Sequence, residues 1–351
     1  SPGLPAFTVV GLPDAVLQEA KERIRSAIKN SGATFPLSRI TVNLAPSDVK
    51  KEGVGFDLPI ALGILVASEQ VPPPPDSALF YGELGLQGEL KPTRGVLSFV
   101  IAAQGIGKSV FVPAVNAKEA SLVPTDGRLY ALDSLDQLIL ALKKEGKINK
   151  IASSSAFEAV DYDEHDFADI VGQSGAKRAM EIAAAGHHNI LLRGSPGSGK
   201  TLLSRSMPSI MPPMSREEVL ESTQIWSVAG MLSPDHPLVS TRPFRSPHHS
   251  ASLVALIGGG NPPRPGEISL AHNGVLFLDE FAEFPRSVIE ALRQPLEDRI
   301  ITVARAGVSV VYPAHCLLVA AINPCPCGFR DDPKRQCMCL QSQIIQNQKK
   351  L

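Results

Sequence analysis

The chain has 351 residues, enough for two or three domains, and 44% of them are hydrophobic. A net charge of −1 excludes nucleic-acid binding through bulk positive charge, so any such contact must come from local loops or from a pore formed on assembly. No signal peptide is visible, and the longest apolar run, 56–67, is too short to span a bilayer. This run therefore predicts no membrane partner. Because four of the five cysteines occur in C-x-C pairs, we expect a cytoplasmic protein with no disulfide scaffold.

Residues 1–145 are predicted to form an α/β domain. Apolar residues recur at helical spacing from Ala15 to Ile28, and a stop signal follows at 30–32. The other predicted elements are strands at 7–10, 40–44 and 109–113, helices at 58–68 and 97–104, and a hairpin over 82–90. Helices and strands alternate along this stretch, as is typical of the α/β class.

Three segments of this domain resemble the proteolytic domain of the Lon family. They are Lys51-Glu52-Gly53-Val54-Gly55, Gly82-Glu83-Leu84 and Gly95-Val96-Leu97. Lon proteases use a serine activated by a lysine of lowered pKa. The nucleophile position falls near Gly55 and the lysine position near Ser98, so both catalytic side chains are missing. The resemblance therefore implies a Lon-like domain without peptidase chemistry, and Asp57 and Lys51 are expected to be solvated or salt-bridged surface residues.

Residues 146–168 are polar, Ser-rich and then acidic, and are predicted to be a linker. A second domain, 169–351, opens with a helix predicted over 175–185. His187 and His188 follow, and paired histidines in this position are expected to cap or line a turn rather than bind a metal.

A phosphate-binding loop comes next, between an apolar run and a helix-compatible segment. The loop residues, which fit G-x-x-x-x-G-K-[ST], are Gly194, Ser195, Pro196, Gly197, Ser198, Gly199, Lys200 and Thr201. Backbone N–H groups and the helix N-terminus are suited to phosphate oxygens. Lys200 is predicted to reach the β- and γ-phosphates and Thr201 to ligate Mg²⁺, so ATP and Mg²⁺ are the expected cofactors.

Two later strands end in polar side chains that suit nucleotide hydrolysis. The apolar run 274–278 ends at Asp279 and Glu280. Asp279 is predicted to hold Mg²⁺ and Glu280 to orient and polarise the attacking water. The apolar run 317–322 ends at Asn323, which is predicted to contact the γ-phosphate or the water, since strand ends converge in a parallel sheet. The alternative for Asn323 is a simple Asn-Pro turn.

Between these motifs, a high density of Pro and Gly predicts inserted loops and hairpins. The segment 241–250 also carries a local basic patch with Phe244 interleaved. Its members are Arg242, Arg245, His248 and His249. This pattern fits either a nucleic-acid contact or a loop at a subunit interface.

The C-x-C pairs predict a tetrahedral thiolate site for Zn²⁺. Its ligands would be Cys325, Cys327, Cys337 and Cys339. Free thiols or a redox pair are the alternatives. Cys316 lies in an apolar segment and is expected to be a core residue.

Together these motifs resemble the magnesium-chelatase-like branch of AAA+ proteins, specifically the bacterial ComM/YifB family. Further segments that carry the resemblance are Gly11-Leu12-Pro13-Asp14, 40–46, 56–63, 242–250, 275–281, 293–297 and 323–328. The resemblance implies a Lon-like α/β domain followed by a P-loop AAA+ αβα core with a parallel sheet. It also implies that Val171 and Gly172 line the adenine pocket and that the cysteine pattern is shared by the family.

The function that the resemblance implies is a ring-forming, hexameric ATPase that acts on single-stranded or branched DNA. The family is associated with branch migration in natural transformation and homologous recombination. Its members continue past Leu351 into a trans-acting arginine and a second sensor arginine. We therefore expect a truncated chain that binds ATP better than it hydrolyses it. The alternatives are a protein-remodelling or chelatase-like ATPase subunit and an ATP-dependent protease, against which the missing serine and lysine argue.

Overall fold

The computed structural model describes residues 6–11, 15–45, 54–153, 165–233, 236–260, 263–305, 308–330, 332 and 335–348. Its contacts divide the chain into two compact units, Ser1–Phe157 with Trp226–Leu238, and Glu158–Ile225 with Val239–Leu351. Residues 51–53 of the Lon-like segment, 12–14 of the family segment and 154–164 of the predicted linker lie outside the described residues. In the described part of the chain, no helix is long and apolar enough to cross a membrane.

The first unit alternates strands and helices, as the sequence predicts. Its elements are β1 (Ala6–Val10), α1 (Ala15–Asn30), β2 (Arg39–Asn43), α2 (Asp57–Ala67), β3 (Ala78–Phe80), β4 (Glu83–Leu84), β5 (Leu90–Lys91), α3 (Val96–Gly105), β6 (Ser109–Pro113), α4 (Ala117–Ala120), β7 (Leu129–Leu132), α5 (Leu135–Leu142) and β8 (Asn149–Lys150). Strands β1 and β2 pair in parallel, and a separate sheet has the order β3-β6-β7-β8. Strand β8 lies within the range predicted as a linker because its backbone pairs with β7.

The core of this unit follows from two helical patterns. In α1, Ala20, Ile24 and Ala27 recur at a helical period and are fully or almost fully buried. Helix α2 is apolar on nearly all sides, and a helix of that kind is buried by its neighbours. Asp57 begins α2 and is completely buried, where it accepts a hydrogen bond from Arg23 Nε at 3.1 Å. The prediction that Asp57 is salt-bridged is correct, but its placement on the surface is wrong, because α2 is packed from its first turn.

The second unit is built on a parallel sheet. Its elements are α6 (Ser174–Gly186), β9 (Ile190–Arg193), α7 (Lys200–Arg205), α8 (Met207–Ile210), α9 (Arg216–Ala229), β10 (Phe244–Arg245), α10 (Leu253–Ile257), β11 (Gly258–Gly259), β12 (Arg264–Pro265), α11 (Glu267–Leu270), β13 (Val275–Leu278), α12 (Arg286–Asp298), β14 (Ile300–Arg305), β15 (Val308–Pro313), β16 (Leu317–Ile322) and α13 (Gln341–Gln348). The sheet has the order β10-β13-β16-β9, and each pairing in it is parallel.

Alternation along β13 explains the layering of this unit. Val275 and Phe277 belong to one buried cluster, which includes residues of α6. Leu276 and Leu278 belong to another, which includes residues of α12. Because successive side chains of a strand point to opposite faces, the sheet is covered by helices on both sides. The predicted α/β class with a parallel sheet is confirmed, and β11-β12 and β14-β15 are antiparallel hairpins inserted in this unit.

The end of α9 belongs to the first unit by its contacts. Ser227 Oγ donates a hydrogen bond to the buried carboxylate of Glu119 and accepts one from Gly95 N at 3.1 Å. Glu119 also accepts from Leu97 N at 3.1 Å and from Asn116 Nδ2 at 2.9 Å. Burial raises the pKa of Glu119, while these hydrogen bonds act to lower it. The residues around Trp226–Leu238 are thus fixed to the first unit by a fully partnered buried carboxyl group.

Candidate active site

The predicted nucleotide residues meet at the carboxyl edge of the parallel sheet. Strand β9 leads into the phosphate loop, β13 ends before Asp279, and β16 ends before Asn323. Thr201 Oγ1 donates a hydrogen bond to Asp279 Oδ2 at 3.0 Å. Lys200 Nζ donates to Asn323 Oδ1 at 3.2 Å. The side chains that follow β13 and β16 are therefore each within hydrogen-bond distance of a side chain of the phosphate loop.

The loop has the backbone that close approach to phosphate requires. Gly197 and Gly199 have φ of +75° and +87°, a left-handed conformation that favours glycine. Helix α7 begins at Lys200, so its first N–H groups face the loop. A cavity of ≈ 380 Å³ is lined by loop residues together with Asp279, Glu280 and Asn323. Ser198 Oγ is buried without a hydrogen-bond partner in the described part of the chain, which leaves a polar atom for a ligand oxygen.

Lys200 lies folded over the loop. Its Nζ also donates to the carbonyl oxygens of Gly194 at 2.8 Å and Ser195 at 3.1 Å. Burial lowers the pKa of Lys200, and the charges of Asp279 and Glu280 oppose that shift. These carbonyl contacts are weaker partners for an ammonium than a phosphate oxygen, so a bound phosphate would take their place.

Glu280 contacts His249, a residue outside the predicted nucleotide motifs. His249 Nδ1 lies 3.2 Å from Glu280 Oε2. Glu280 itself has φ of +51°, a strained conformation for a residue other than glycine, and its N–H donates to Asp279 Oδ1 at 2.9 Å. The sequence places His249 in a basic patch with Arg242, Arg245 and His248. The sequence feature that singles out His249 is its pairing with His248. That feature does not predict a contact with Glu280.

The two arginines of that basic patch are ion-paired within the second unit. Arg242 Nη1 lies 3.1 Å from Glu218 Oε1, and Arg245 Nε lies 2.6 Å from Glu267 Oε2. Their charges are therefore compensated, as is typical of residues that hold loops in place.

The segment expected at the adenine pocket precedes α6. Val171 is 94% exposed, and Gly172 has φ of +75°. Gln173 Nε2 donates to Ser198 O at 3.2 Å, which ties this segment to the phosphate loop. Val171 therefore lies two residues before the position at which this segment is held to the phosphate loop.

The four cysteines lie together. Their sulfur atoms are all within 4.8 Å of one another, and Cys325 Sγ is 3.4 Å from Cys327 Sγ and 3.6 Å from Cys337 Sγ. Sulfurs tetrahedrally placed around Zn²⁺ at ~2.3 Å are ~3.8 Å apart, so this donor set fits zinc. Hydrogen bonds from the backbone of Phe329 and Met338 lower the pKa of the Cys327 thiol to about 6, which favours the thiolate that a metal requires.

Gly328 joins the cysteine loop to the phosphate loop. It has φ of +83°, and a Cβ placed on it would lie 2.5 Å from Cδ of Pro196. Its N–H donates to Cys325 O at 2.9 Å. Backbone and proline ring are therefore in direct contact, and only glycine fits between them. Cys316, by contrast, is a buried core residue as expected, and burial raises the pKa of its thiol to about 12.

The Lon-like nucleophile position is filled by a neighbouring side chain. A Cβ on Gly55 would lie 2.2 Å from Cε2 of Tyr81. The Tyr81 ring stacks on Phe99 with centroids 4.7 Å apart, and its hydroxyl donates to Arg94 O at 3.0 Å. The ring is therefore held in place, and a serine at residue 55 has no room.

Two families match the chain. The family described as "Magnesium chelatase, subunit ChlI" matches residues 166–351, and the one described as "Subunit ChlI of Mg-chelatase" matches residues 1–116. A chain of the complex between subunits BchI and BchD of magnesium chelatase is similar with a TM-score of 0.37 and 24% identity, over 46% of this chain and 55% of that one.

The curated relatives include proteins of several bacteria. Competence protein ComM of Haemophilus influenzae is 46% identical over 93% of this chain and 65% of its own length. YifB of Escherichia coli is 44% identical over 96% of this chain and 66% of its own length. The magnesium-chelatase 67 kDa subunit of Chlorobaculum parvum is 27% identical over 45% of this chain and 23% of its own length. The chain thus spans about two thirds of ComM and YifB, and it belongs to the ComM/YifB magnesium-chelatase-like family.

Proposed function

We propose that this chain contains the ATP-hydrolysing part of a hexameric ring that moves along DNA and promotes branch migration of recombination intermediates in natural transformation. The observation that carries the ATPase part is the convergence of Lys200, Thr201, Asp279 and Asn323 at one sheet edge, with Thr201 Oγ1 and Asp279 Oδ2 3.0 Å apart. The DNA part rests on the similarity to Competence protein ComM.

Each side chain has a role in this proposal. Thr201 and Asp279 would hold Mg²⁺, which supplies charge neutralisation at the phosphates when it is bound. Lys200 exchanges its carbonyl partners for phosphate oxygens. Glu280 accepts the proton of the attacking water, and Asn323 orients the γ-phosphate or that water. Val171 and Gly172 contact the base.

Hydrolysis by the isolated chain is expected to be slow. Lys200 is the only cation in the described lining of the nucleotide cavity. Phosphoryl transfer commonly uses a second cation, supplied in the same chain or by a partner, and that cation raises the rate by roughly 10³–10⁵. A ring in which a neighbouring subunit supplies an arginine would meet this need.

The first unit is proposed to be a Lon-like domain without peptidase activity, used for assembly or DNA contact. The Tyr81 ring beside Gly55 supports this proposal, because it occupies the space that a nucleophilic side chain needs. Degradation of casein by the intact protein would contradict it and favour an ATP-dependent protease.

The test of the motor is branch migration on a synthetic four-way junction by the full-length protein. With ATP, we expect the wild-type protein to convert the junction into two duplexes by branch migration. Glu280→Gln should bind ATP but leave the junction intact. The exposed control, Glu290→Gln, should behave as wild type. Hydrolysis of ATP by a wild-type protein that leaves the junction intact would overturn the DNA role. It would favour a protein-remodelling or chelatase-like ATPase.

Zinc is proposed at Cys325, Cys327, Cys337 and Cys339. Metal analysis of the purified chain is expected to give one zinc per chain, and Cys327→Ser with Cys337→Ser to remove it. Cys316→Ser, which changes the buried thiol outside the cluster, is expected to keep the metal. A folded wild-type chain without metal would contradict the site.

A further inference from the structure

A second polar cavity lies at the opposite edge of the parallel sheet. It has a volume of ≈ 210 Å³ and is lined by His187, His188, Arg299 and His315, among others. His187 and His188 precede β9, and His315 precedes β16, so the cavity faces the amino ends of these strands. The nucleotide residues follow the carboxyl ends of the same strands. None of the residues of this cavity takes part in the proposed ATPase chemistry.

The backbone around this cavity is strained at two places. His187 ends α6 with φ of +52°, and Arg299 ends α12 with φ of +59°. Left-handed backbone costs of order 1 kcal/mol for a residue other than glycine. A glycine would relieve that cost at either position, but the chain has a histidine and an arginine there. Both helices thus end in residues whose side chains carry hydrogen-bond donors.

These donors have no partners in the parts of the chain that the structure describes. His187 Nε2 is buried without a hydrogen bond. The guanidinium of Arg299 and the imidazole of His315 form no side-chain hydrogen bond or ion pair with a described residue. The rings of His187 and His315 are 4.2 Å apart. Three side chains that can donate hydrogen bonds therefore surround one small cavity.

The electrostatics of the cavity favour an anion. Burial lowers the pKa of His187 to about 4, and the charges of His315, Arg242 and Arg299 act in the same direction. Burial and Arg299 also lower the pKa of His315. Glu218 acts against both shifts, but its carboxylate is paired with Arg242 at 3.1 Å. The charge of Arg299 is therefore left without a partner, and a bound anion would stabilise it and both imidazolium forms.

We propose that this cavity binds a phosphate-sized oxyanion through Arg299, His187 and His315. A guanidinium and imidazole N–H groups are the donors that bind phosphate oxygens in proteins. The cavity is smaller than the roughly 300–1,000 Å³ of typical small-molecule sites, so a single phosphate group is the suitable size. A metal is disfavoured, because the described residues contain no group of three ligands here and Arg299 would repel a cation. The phosphate has two possible sources, free phosphate or a phosphodiester group of nucleic acid.

The test uses the Lys200→Ala chain, so that the nucleotide loop does not contribute to phosphate binding. Inorganic phosphate is titrated while the imidazole resonances of His187 and His315 are followed by NMR. We expect both to shift and their pKa values to rise, since an anion stabilises the charged imidazole. Arg299→Gln should weaken phosphate binding about tenfold or more, whereas Arg299→Lys should retain most of it. Arg293→Gln, at an exposed position of the same helix, is the matched control and should bind phosphate as the parent does.

Two further arms identify the source. A labelled single-stranded oligonucleotide is titrated by fluorescence anisotropy into the Lys200→Ala chain with and without Arg299→Gln. If Arg299→Gln binds the oligonucleotide more weakly, and if added phosphate displaces the oligonucleotide from the parent chain, the ligand is a phosphodiester group. Phosphate binding with unchanged oligonucleotide affinity identifies free phosphate. Unmoved imidazole resonances at tens of millimolar phosphate, or phosphate binding that survives Arg299→Gln in a folded chain, would overturn the site. Neither result depends on whether the protein moves DNA.

Discussion

The region around Gly55 and Asp57 in the first unit and the phosphate-loop edge of the second unit are both made by helices that follow strands or turns. They differ in whether their polar groups have partners within the protein. Asp57 is completely buried and paired with Arg23, and Gly55 is covered by the Tyr81 ring. At the phosphate loop, Ser198 Oγ has no described partner, and the described partners of Lys200 Nζ are two carbonyl oxygens and an amide oxygen.

This difference separates polar groups that stabilise the fold from polar groups that are available to a ligand. A buried carboxylate with a partner contributes to a unique packed core, and removal of the partner is strongly unfavourable. An ammonium that donates to loop carbonyls can exchange them for phosphate at little cost. Changes in the first region should therefore affect folding, and changes in the second should affect nucleotide chemistry.

The largest expected effect is that of Lys200→Ala. Loss of the cation that meets the phosphates should lower the ATPase rate by about a hundredfold or more, with the free energy of unfolding unchanged within ~1 kcal/mol. Steady-state phosphate release and urea unfolding measure the two quantities. Lys147→Ala, an exposed lysine of the first unit, is the control. If Lys200→Ala lowered the free energy of unfolding by as much as it raised the activation free energy, Lys200 would be a residue that stabilises the fold rather than one available to a ligand.

Asp57→Asn tests the first region through pH. Burial, against the opposing effect of Arg23, raises the pKa of Asp57 from 3.8 to about 6. The folded state thus binds the proton more tightly than the unfolded state. The stability contributed by the protonated carboxyl is fully present below pH 3.8 and is lost as pH rises through about 6. Wild type should lose about 3 kcal/mol more than Asp57→Asn between these limits, at 1.36 kcal/mol per pKa unit.

Urea unfolding across this pH range is the measurement, with Asp126→Asn at an exposed position as the control. A wild-type curve parallel to that of Asp57→Asn would show that Asp57 has the same proton affinity in both states.

Gly55→Ser tests the packing of Tyr81. The new Cβ would collide with the ring, so we expect a loss of about 1–3 kcal/mol of stability without peptidase activity. Gly63→Ala in α2 is the matched control, because a Cβ there meets nothing within 4 Å. That substitution should be neutral or stabilising by up to ~1 kcal/mol. Equal unfolding midpoints for both variants would contradict the packing described.

The smallest expected effect is that of His249→Ala. Without the imidazole, Glu280 loses the contact that holds its carboxylate, and kcat should fall roughly three- to tenfold with KM little changed. His248→Ala is the comparison: His248 Nδ1 contacts Ser250 Oγ at 2.8 Å and its ring packs on that of His249 at 4.0 Å, so this change should lower kcat less than His249→Ala. A change in KM alone, or the same loss in both variants, would exclude a positioning role for His249.

Patterns local in sequence predicted the elements that carry the nucleotide site and about half of those in the first unit. The period of α1, the apolar runs of β13 and β16 and the glycines of the phosphate loop each specify their own element, so the predicted elements agree with the structure to within a residue or two. The convergence of Asp279 and Asn323 was predictable as well, because parallel strand ends meet at one edge.

Contacts between distant segments were not predictable in this way. Burial of Asp57 depends on the packing of α2 against α1, and the pairing of His249 with Glu280 depends on where an inserted loop returns. Neither has a periodic or spacing signal in one sequence. The ion pairs of Arg242 and Arg245 were missed for the same reason, since a cluster of basic residues does not show which acids face it.

The contact between Gly328 and Pro196 joins the cysteine loop to the phosphate loop. A ligand that orders the cysteine loop and a ligand that orders the phosphate loop would share one backbone contact. If occupancy of one loop changes the affinity of the other by some factor, the reverse effect must have the same factor. Metal affinity measured with and without nucleotide therefore reports the coupling as directly as nucleotide affinity measured with and without metal.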